Sequence, residues 1–202
     1  MADMANRVLT RPDLTMPPDE AAALREAYAQ ARVILEYGSG GSTLLAAEMP
    51  GKRVFSVESD KNWVSRMQTW LDAHPTASGT KVDIIWCDIG PTAKWGHPTD
   101  AAQYIKYAQY PLAVWDHADF EQPDVVLVDG RFRTGCALAA AYRSTSPVKV
   151  MIDDYMRRKH YHRVERFLGT PEMIGRMAAF HVEPRPVPPE ALGQIIEMMT
   201  RP

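Results

Sequence analysis

The chain has 202 residues, of which 46% are hydrophobic and 24% charged, a composition typical of one globular domain with a buried core. The formal net charge of −2 gives no overall attraction to nucleic acid or to anionic lipid, so neither is expected as a partner. No apolar run approaches the roughly 20 residues that cross a bilayer. Residues 1–7 lack the apolar centre of a secretion signal, so we expect a cytoplasmic protein.

Hydrophobic periodicity predicts strands and helices that alternate along most of the chain. A leading helix begins after Pro17 and Pro18, and Asp60 can cap a helix that is broken at His74. The other predicted elements are, in chain order, a strand at 33–37, a helix at 42–49, strands at 53–57 and 81–87, short helices near 100–108 and 111–118, a strand at 124–128, a helix at 134–144, a strand at 148–152, a basic helix at 155–168, and strands near 177–182 and 194–199.

The alternation predicts the fold class. The strands at 124–128 and 148–152 are continuously apolar, which is typical of strands buried on both faces. We therefore expect an α/β fold: a doubly wound, mostly parallel sheet with helices on both faces, which binds its ligand outside the carboxyl ends of the strands. No internal repeat or second domain is evident, so residues 1–202 are predicted to form one domain with a lid-like insertion at about 89–122.

The most informative motif runs from Val33 to Thr43, where an apolar strand enters a glycine-rich turn and then a helix. Glycines let the backbone turn sharply and approach a ligand, toward which the free N–H groups of the next helix point. Glu58 ends the second strand 20 residues after Gly38, where a carboxylate can bind ribose hydroxyls. Alternatively, Glu58 is a charge that favours the start of the next helix. Thr43 stands where a nicotinamide fingerprint has its third glycine, which disfavours an NAD(P)-dependent reductase.

The acid-x-Gly-x-Gly sequence at 36–40, followed by Glu58, resembles the class I S-adenosylmethionine-dependent methyltransferases over about residues 30–155. The resemblance implies a Rossmann-like sheet of about seven strands, the last of them antiparallel. It also implies that the cofactor's methionine part is held by Glu36, Gly38, Ser39 and Gly40, its ribose by Glu58, and its adenine by Cys87, Asp88 and Ile89. Asp88 also fits an ordinary aspartate that begins a loop.

Three carboxylates follow the fourth and fifth strands, which are neighbours in the expected sheet: Asp129, Asp153 and Asp154. Close carboxylates repel one another unless protons or a cation lie between them, and oxygen donors suit Mg²⁺ or Ca²⁺. The arrangement resembles the catechol-type O-methyltransferases, which hold a divalent ion with one aspartate and an Asp-Asn pair. This chain has Asp-Asp instead, and Phe132 stands where that family has a lysine that assists deprotonation.

The same aspartates have an alternative explanation that needs no metal. The first of them caps a turn with Gly130, while one of the Asp-Asp pair forms an ion pair with Arg131 or Arg133.

These features predict an enzyme that transfers a methyl group from S-adenosylmethionine to an oxygen of a small molecule, with help from a divalent ion. Asp129 and His97 are the predicted catalytic residues, and Lys94 is a further candidate base. Because the family's lysine is missing, an alternative is a sensor or partner subunit that binds the cofactor without methyl transfer. The basic run at 157–163 is predicted to be a solvated helix face, or else to hold an anionic substrate group. The oligomeric state stays open, with a homodimer among the alternatives.

Overall fold

The computed structural model describes residues 10–202, so the expectation about a secretion signal at 1–7 lies outside the described residues. The strands are β1 Val33–Tyr37, β2 Arg53–Glu58, β3 Lys81–Trp86, β4 Val125–Val128, β5 Val148–Ile152, β6 Glu172–Ile174 and β7 Met177–Val182. The helices are α1 Pro18–Gln30, α2 Gly41–Ala47, α3 Lys61–Ala73, α4 Gln109–Leu112, α5 Arg133–Arg143, α6 Glu165–Leu168 and α7 Leu192–Met199. Over residues 10–202, none of the helices is both long and apolar enough to cross a membrane.

The described strands form one sheet in the order β3-β2-β1-β4-β5-β7-β6. Strands β1 to β5 are parallel, β7 is antiparallel to β5, and β6 is antiparallel to β7. The chain moves outward from β1 through β2 to β3 and then returns to β4 on the other side of β1, so the winding reverses between β1 and β4. The loops after these two strands therefore diverge and leave a crevice at the carboxyl edge of the sheet. The predicted fold class is confirmed.

The central strands are buried on both faces because helices cover both. On β1, Leu35 and Tyr37 belong to a core shared with α5, whereas Ile34 belongs to a core shared with α1. Successive side chains of a strand face opposite sides of the sheet, so β1 contributes to both cores. Glu36 consequently lies on the α1 side, and it has no exposed surface.

The C-terminal segment differs from the sequence-based prediction. Residues 194–199, predicted as a strand, belong to helix α7, where Ile195 and Met198 are buried and Ile196 is exposed, as a helical period requires. A short apolar run does not by itself distinguish a strand from a helix. The second C-terminal strand is instead β6, whose three residues are too few to produce an alternating pattern. The strand predicted at 177–182 is confirmed as β7.

The basic helix predicted at 155–168 is also wrong over residues 155–160, since helical structure begins only with the 3-10 helix Tyr161–Val164 and continues in α6. Asp154 has a left-handed backbone conformation, with φ of 58°. The Met156 N–H donates to the carbonyl oxygen of Arg176 at 3.0 Å. The chain therefore turns back toward the β6–β7 connection instead of continuing as a helix.

The insertion contains three short 3-10 helices besides α4: Lys94–Gly96, Tyr104–Lys106 and Ala113–Asp116. All are shorter than the helices predicted there. Tyr107, Tyr110 and Trp115 are buried in the main core, so the second half of the insertion supports the sheet. The first half lies at the carboxyl edge, over the crevice.

Candidate active site

A fully buried carboxylate at the end of β1 holds the glycine turn from beneath. Glu36 accepts hydrogen bonds from the hydroxyls of Tyr28 (2.6 Å), Thr43 (2.6 Å) and Ser56 (3.1 Å). Burial raises the pKa of Glu36, and the hydrogen bonds from these side chains oppose that shift. Because both carboxylate oxygens are engaged inside the protein, Glu36 positions the turn and does not face the crevice.

Thr43 connects this carboxylate to the turn itself. Its Oγ1 donates to Glu36 Oε2 and accepts a hydrogen bond from the Gly40 N–H at 3.0 Å, since a hydroxyl can do both. The residue that departs from the nicotinamide fingerprint is thus the residue that fixes this turn. From the sequence, neither Tyr28 nor Ser56 was predicted to bind Glu36, because each of them lies in a different element.

The loops after β1 and β4 meet at Gly38. Its φ is 100°, which favours glycine, and a Cβ there would lie 2.7 Å from the Gly130 nitrogen and 3.1 Å from the Asp129 carbonyl carbon. The Gly38 N–H donates to the carbonyl oxygen of Val57 at 2.8 Å. Backbone contact therefore places the predicted cofactor turn directly beside the aspartate that ends β4.

The outer side of the turn is open. A Cβ added to Gly40 would have no heavy atom within 4 Å. Ser39 is held by a 2.7 Å hydrogen bond between its Oγ and Ser56 Oγ, and its carbonyl oxygen accepts from Trp63 Nε1 at 2.8 Å. Trp63 was given no role from the sequence. Its position three residues after Asp60, the cap of α3, was a signal that its side chain could reach back to the glycine turn.

Glu58 links the end of β2 to the same turn. Its Oε1 accepts from the backbone N–H groups of Ser59 (2.6 Å) and Asp60 (2.9 Å), while Oε2 accepts only from Ser39 N–H at 3.3 Å among the described residues. Burial raises the pKa of Glu58, against these backbone hydrogen bonds. One oxygen therefore stabilises the start of α3, as the alternative interpretation expected, and the other keeps room to accept from a ligand.

The first half of the insertion covers Glu58. Gly96 has φ of 67°, and a Cβ there would lie 2.5 Å from Ser59 Oγ and 3.3 Å from Glu58 Oε1. Ser59 Oγ also donates to the Gly96 carbonyl oxygen at 3.1 Å. The neighbouring Trp95 side chain is 76% exposed. Access to Glu58 from this side consequently depends on the position of residues 94–97.

The residues after β3 are divided between the core and the surface. Cys87 and Ile89 are buried, and burial raises the pKa of the Cys87 thiol to about 12, which keeps it protonated. Asp88 is accessible and accepts from Lys106 Nζ (2.7 Å) and from the Gly90 N–H (2.9 Å). The hydrogen bond from Lys106 is the main cause that lowers the pKa of Asp88. Asp88 also begins the loop, as its alternative interpretation expected.

Arginines neutralise the three aspartates after β4 and β5. Asp153 is almost completely buried, and both of its oxygens accept from Arg176, at 2.9 Å from Nε and 2.6 Å from Nη2. Asp129 lies 3.1 Å from Arg133 Nη2. Asp154 lies within 4 Å of three guanidinium groups, those of Arg133, Arg158 and Arg176. Pairing of Asp154 with Arg133 was one of the sequence-based alternatives, whereas Arg176 was not foreseen.

This donor set does not fit a divalent ion. Both oxygens of Asp153 are taken by Arg176. The described residues contain no group of three His, Cys, Asp or Glu side chains arranged to hold a metal. A guanidinium supplies fixed positive charge where a cation was predicted, so the mutual repulsion that motivated the metal is already compensated. The predicted Mg²⁺ or Ca²⁺ ligands therefore form an ion-pair network.

Asp129 and Asp154 are the partly accessible aspartates of this network, and Asp129 is the one beside the glycine turn. Its side chain is 32% exposed, yet burial of the surroundings raises its pKa to about 6, against the charge of Arg133. Phe132 has a left-handed φ of 51° and packs against Tyr107 and Tyr110, with ring centroids 5.2 and 5.4 Å apart. The position that corresponds to the missing lysine therefore faces the core and leaves Asp129 as the group at the crevice.

The two candidate bases on the insertion are at its surface. His97 is exposed, and partial burial followed by the charges of Arg131 and Arg158 lowers its pKa, so that its imidazole is neutral near pH 7. Lys94 lies with Nζ 5.3 Å from the Trp95 ring centroid, a cation–π contact at the surface. The lowered pKa of His97 leaves its imidazole able to accept a proton near neutrality.

A methyltransferase-like protein from Silicibacter pomeroyi has a crystal structure that matches this one with a TM-score of 0.93. The two sequences are 61% identical, and the match covers 95% of this chain and 99% of that chain. The chain belongs to the S-adenosylmethionine-dependent methyltransferase family. The predicted family and enzyme class are thereby confirmed.

Two more distant proteins share the fold. The O-methyltransferase TomG from Streptomyces achromogenes, solved with S-adenosylmethionine, is 16% identical with a TM-score of 0.55, over 85% of this chain and 83% of that chain. An O-methyltransferase from Bacillus cereus, solved with S-adenosylhomocysteine, is 14% identical with a TM-score of 0.56, over 83% and 82% of the two chains. No protein-family model matches the methyltransferase chain, and no curated protein is significantly similar to it.

Proposed function

We propose that this methyltransferase transfers the methyl group of S-adenosylmethionine to a hydroxyl oxygen of a small molecule. The observation that carries the proposal is the backbone contact of Gly38 with Asp129 and Gly130. It joins a cofactor turn to a carboxylate that can accept a proton. A methyl donor and a proton acceptor on adjoining loops are what transfer to a hydroxyl requires.

The residues of the β1–β2 half fit the cofactor. Glu58 Oε2 has capacity for a ribose hydroxyl, and the open side of Gly40 and Ser39 provides room for the methionine part. Asp88 and its neighbours after β3 border the place for adenine. When bound, the cofactor supplies an electrophilic methyl group on a sulfonium, so the protein's task is to orient and desolvate the reactants.

Asp129 is the proposed catalytic base. Above about pH 6 it is a carboxylate, and it accepts the hydroxyl proton while the oxygen gains the methyl group and S-adenosylhomocysteine is left. Arg133, at 3.1 Å, keeps that carboxylate in place. No step passes through a metal ion, because the donor set after β4 and β5 does not fit one.

The acceptor side of the crevice is bordered by the insertion. Trp95, Tyr104 and Ile105 are large side chains that are more than half exposed on this segment. Apolar and aromatic surface of this kind favours a compact organic acceptor over an extended polymer. We therefore propose a small hydroxylated molecule, with its ring or chain against the insertion.

Calorimetry with S-adenosylhomocysteine tests the cofactor site most directly. Glu58→Gln removes a ribose acceptor and is expected to weaken binding by about tenfold or more. Gly40→Val fills the open side of the turn and should abolish binding. Glu190→Gln, an exposed glutamate outside the crevice, is the matched control and should bind like the wild type. Wild-type binding that neither crevice variant weakens contradicts the cofactor site.

Methyl transfer itself is tested with S-adenosylmethionine that carries a labelled methyl group and a panel of hydroxylated aromatic and aliphatic acceptors. We expect labelled product, at a rate that a metal chelator does not change. Loss of transfer with the chelator, restored by Mg²⁺ or Ca²⁺, would contradict the metal-free proposal. Cofactor binding without turnover on every acceptor would favour the sensor or partner-subunit alternative.

A further inference from the structure

Arg131, in the loop between β4 and α5, carries a guanidinium that has no partner in the described part of the chain. Its Nε is buried and makes no hydrogen bond with residues 10–202. No carboxylate of those residues lies within ion-pair distance of it, although Asp129 is only two positions away. A partly buried charge without a partner is costly, and native proteins generally pair such groups with a ligand, an ion or water.

The surrounding acids are already engaged by other arginines. Arg133 donates to the carbonyl oxygens of Asp129, Gly130 and Asp153 and pairs with the Asp129 carboxylate. Arg158 pairs with Asp154. Arg131 makes no such pair with the described residues, so its guanidinium can still bind an anion.

Arg131 lies at the crevice, beneath the segment that covers Glu58. The Cβ that Gly96 lacks would be 3.9 Å from Arg131 Cγ and 3.3 Å from Glu58 Oε1, so both side chains approach the same point of the insertion. Phe132, the next residue, turns into the aromatic core instead. The two neighbours on the loop therefore divide their roles, one packing in the core and the other facing the crevice.

Neighbouring positive charges act on the Arg131 guanidinium. Burial, followed by the charges of Arg133 and Arg158, lowers the pKa of the Arg131 guanidinium. His97 on the insertion experiences the positive charges of Arg131 and Arg158. An anion that entered here would relieve this repulsion and satisfy the unbonded donor.

We propose that Arg131 binds an oxyanion, a carboxylate or a phosphate, that the methyl acceptor carries. The planar fork of guanidinium N–H groups matches both anions. Gly96 of the insertion approaches Arg131, and the charge of Arg158, after β5, acts on it, so Arg131 lies where the insertion borders the acceptor. The inference rests on the proposed function and narrows it to hydroxylated acids or hydroxylated phosphate esters.

The test uses benzoate, phenyl phosphate and inorganic phosphate as probes, titrated by calorimetry into the full chain saturated with S-adenosylhomocysteine. We expect Arg131→Gln to weaken the tightest of these probes by about tenfold or more, the fold-change of one charge-assisted hydrogen bond. Arg25→Gln removes the same charge from an exposed arginine on α1, outside the crevice, and should bind like the wild type. Equal weakening in both variants, or no wild-type binding of any probe, overturns the proposal.

The cofactor also carries a carboxylate that Arg131 could bind. A second pair of titrations therefore separates an anion of the acceptor from the carboxylate of the cofactor. 5′-Methylthioadenosine lacks that group and S-adenosylhomocysteine has it. We expect Arg131→Gln to leave both affinities within about twofold of the wild type. Selective loss of S-adenosylhomocysteine affinity would show that Arg131 binds the cofactor instead, and would overturn the proposal.

Two further measurements keep this inference separate from the proposed function and from folding. If the wild type does not bind S-adenosylhomocysteine, the proposed function fails, and the probes titrated alone still test Arg131. Thermal unfolding should show Arg131→Gln to be at least as stable as the wild type, because it loses no partner. A clear decrease in its unfolding midpoint would mean that Arg131 has a structural role, and would overturn the proposal.

Discussion

The two halves of the crevice hold their carboxylates in different ways. In the β1–β2 half, Glu36 is fixed by neutral hydroxyls and Glu58 by backbone N–H groups. In the β4–β5 half, Asp129, Asp153 and Asp154 are fixed by guanidinium groups. Neutral donors stabilise a carboxylate without adding positive charge near a sulfonium. Guanidinium groups add positive charge, which suits a region that holds an anion.

The two halves also depend on different elements. The hydrogen bonds of the cofactor half join β1, the glycine turn, β2 and the start of α3, together with Tyr28 of α1. The ion pair of Asp153 with Arg176 depends on the β6–β7 connection. The cofactor half therefore draws its hydrogen bonds from N-terminal elements, whereas the acceptor half forms only when the C-terminal strands are in place. The predictions that follow test this division.

The largest effect is expected for Asp129→Asn. The substitution keeps the shape and a hydrogen-bond acceptor for Arg133 but removes the proton acceptor, so the kcat of methyl transfer should decrease by about 10²- to 10⁴-fold. S-adenosylhomocysteine affinity, measured by calorimetry, should be unchanged because the cofactor half is independent. His97→Gln is the control and should lose at most a few-fold. The opposite ranking would move the base onto the insertion.

Arg176→Ala should destabilise the protein by about 3 kcal/mol, because it leaves the Asp153 carboxylate buried without a partner. The value is at the low end for a buried pair, since the Arg176 side chain is 35% exposed. Urea unfolding measures the change. Arg158→Ala, which breaks a pair exposed to solvent, should cost at most about 1 kcal/mol. Similar losses for the two variants would contradict a buried ion pair as the main support of this half.

Gly38→Ala tests the contact between the halves. Its positive φ and a Cβ 2.7 Å from the Gly130 nitrogen should together cost about 2 kcal/mol in urea unfolding. Gly40→Ala is the control, since it makes the same substitution in the same turn but its Cβ meets no atom within 4 Å. It should change the free energy of unfolding by less than about 0.5 kcal/mol. Equal effects would mean that the turn does not press against the β4 loop.

The pH dependence of kcat/KM gives the smallest effect. The raised pKa of Asp129 means that its reactive carboxylate form is lost as the pH decreases through about 6. Below that value kcat/KM should decrease by about tenfold per pH unit, and above it the profile should level. Stopped assays from pH 5 to pH 8 measure the profile. The residual activity of Asp129→Asn should lack this step, and a step that persists would assign the titration to another group.

The contrast between the two halves of the crevice explains how much of the site the sequence could predict. The glycine turn, Glu58 and the five parallel strands were predictable because their determinants are short in sequence and follow strand ends. The pairing of Asp153 with Arg176 was not predictable, because β6 has three residues and gives no pattern. Without β6, nothing indicated that Arg176 would return to the end of β5. The metal prediction was a consequence of this missing partner.

The wrong prediction of a strand at 194–199 has a similar cause. The apolar run at 194–199 fits a strand or a helix equally well until its packing partner is known, and α7 packs against α5. Arg131 and Arg133 both appeared in the sequence as possible partners of the aspartates. Only the geometry separates them, since Arg133 is enclosed by carbonyl oxygens while the buried Nε of Arg131 stays unbonded in the described residues.

The main-chain contact at Gly38 and Gly130 has a consequence for how the enzyme can diversify. Because main-chain atoms set the spacing between the two loops, side-chain substitutions elsewhere leave the span from methyl donor to proton acceptor unchanged. Acceptor preference can then vary through the exposed half of the insertion, or through position 131, without altering the reaction distance. Relatives that share both glycines should therefore differ in what they methylate rather than in how.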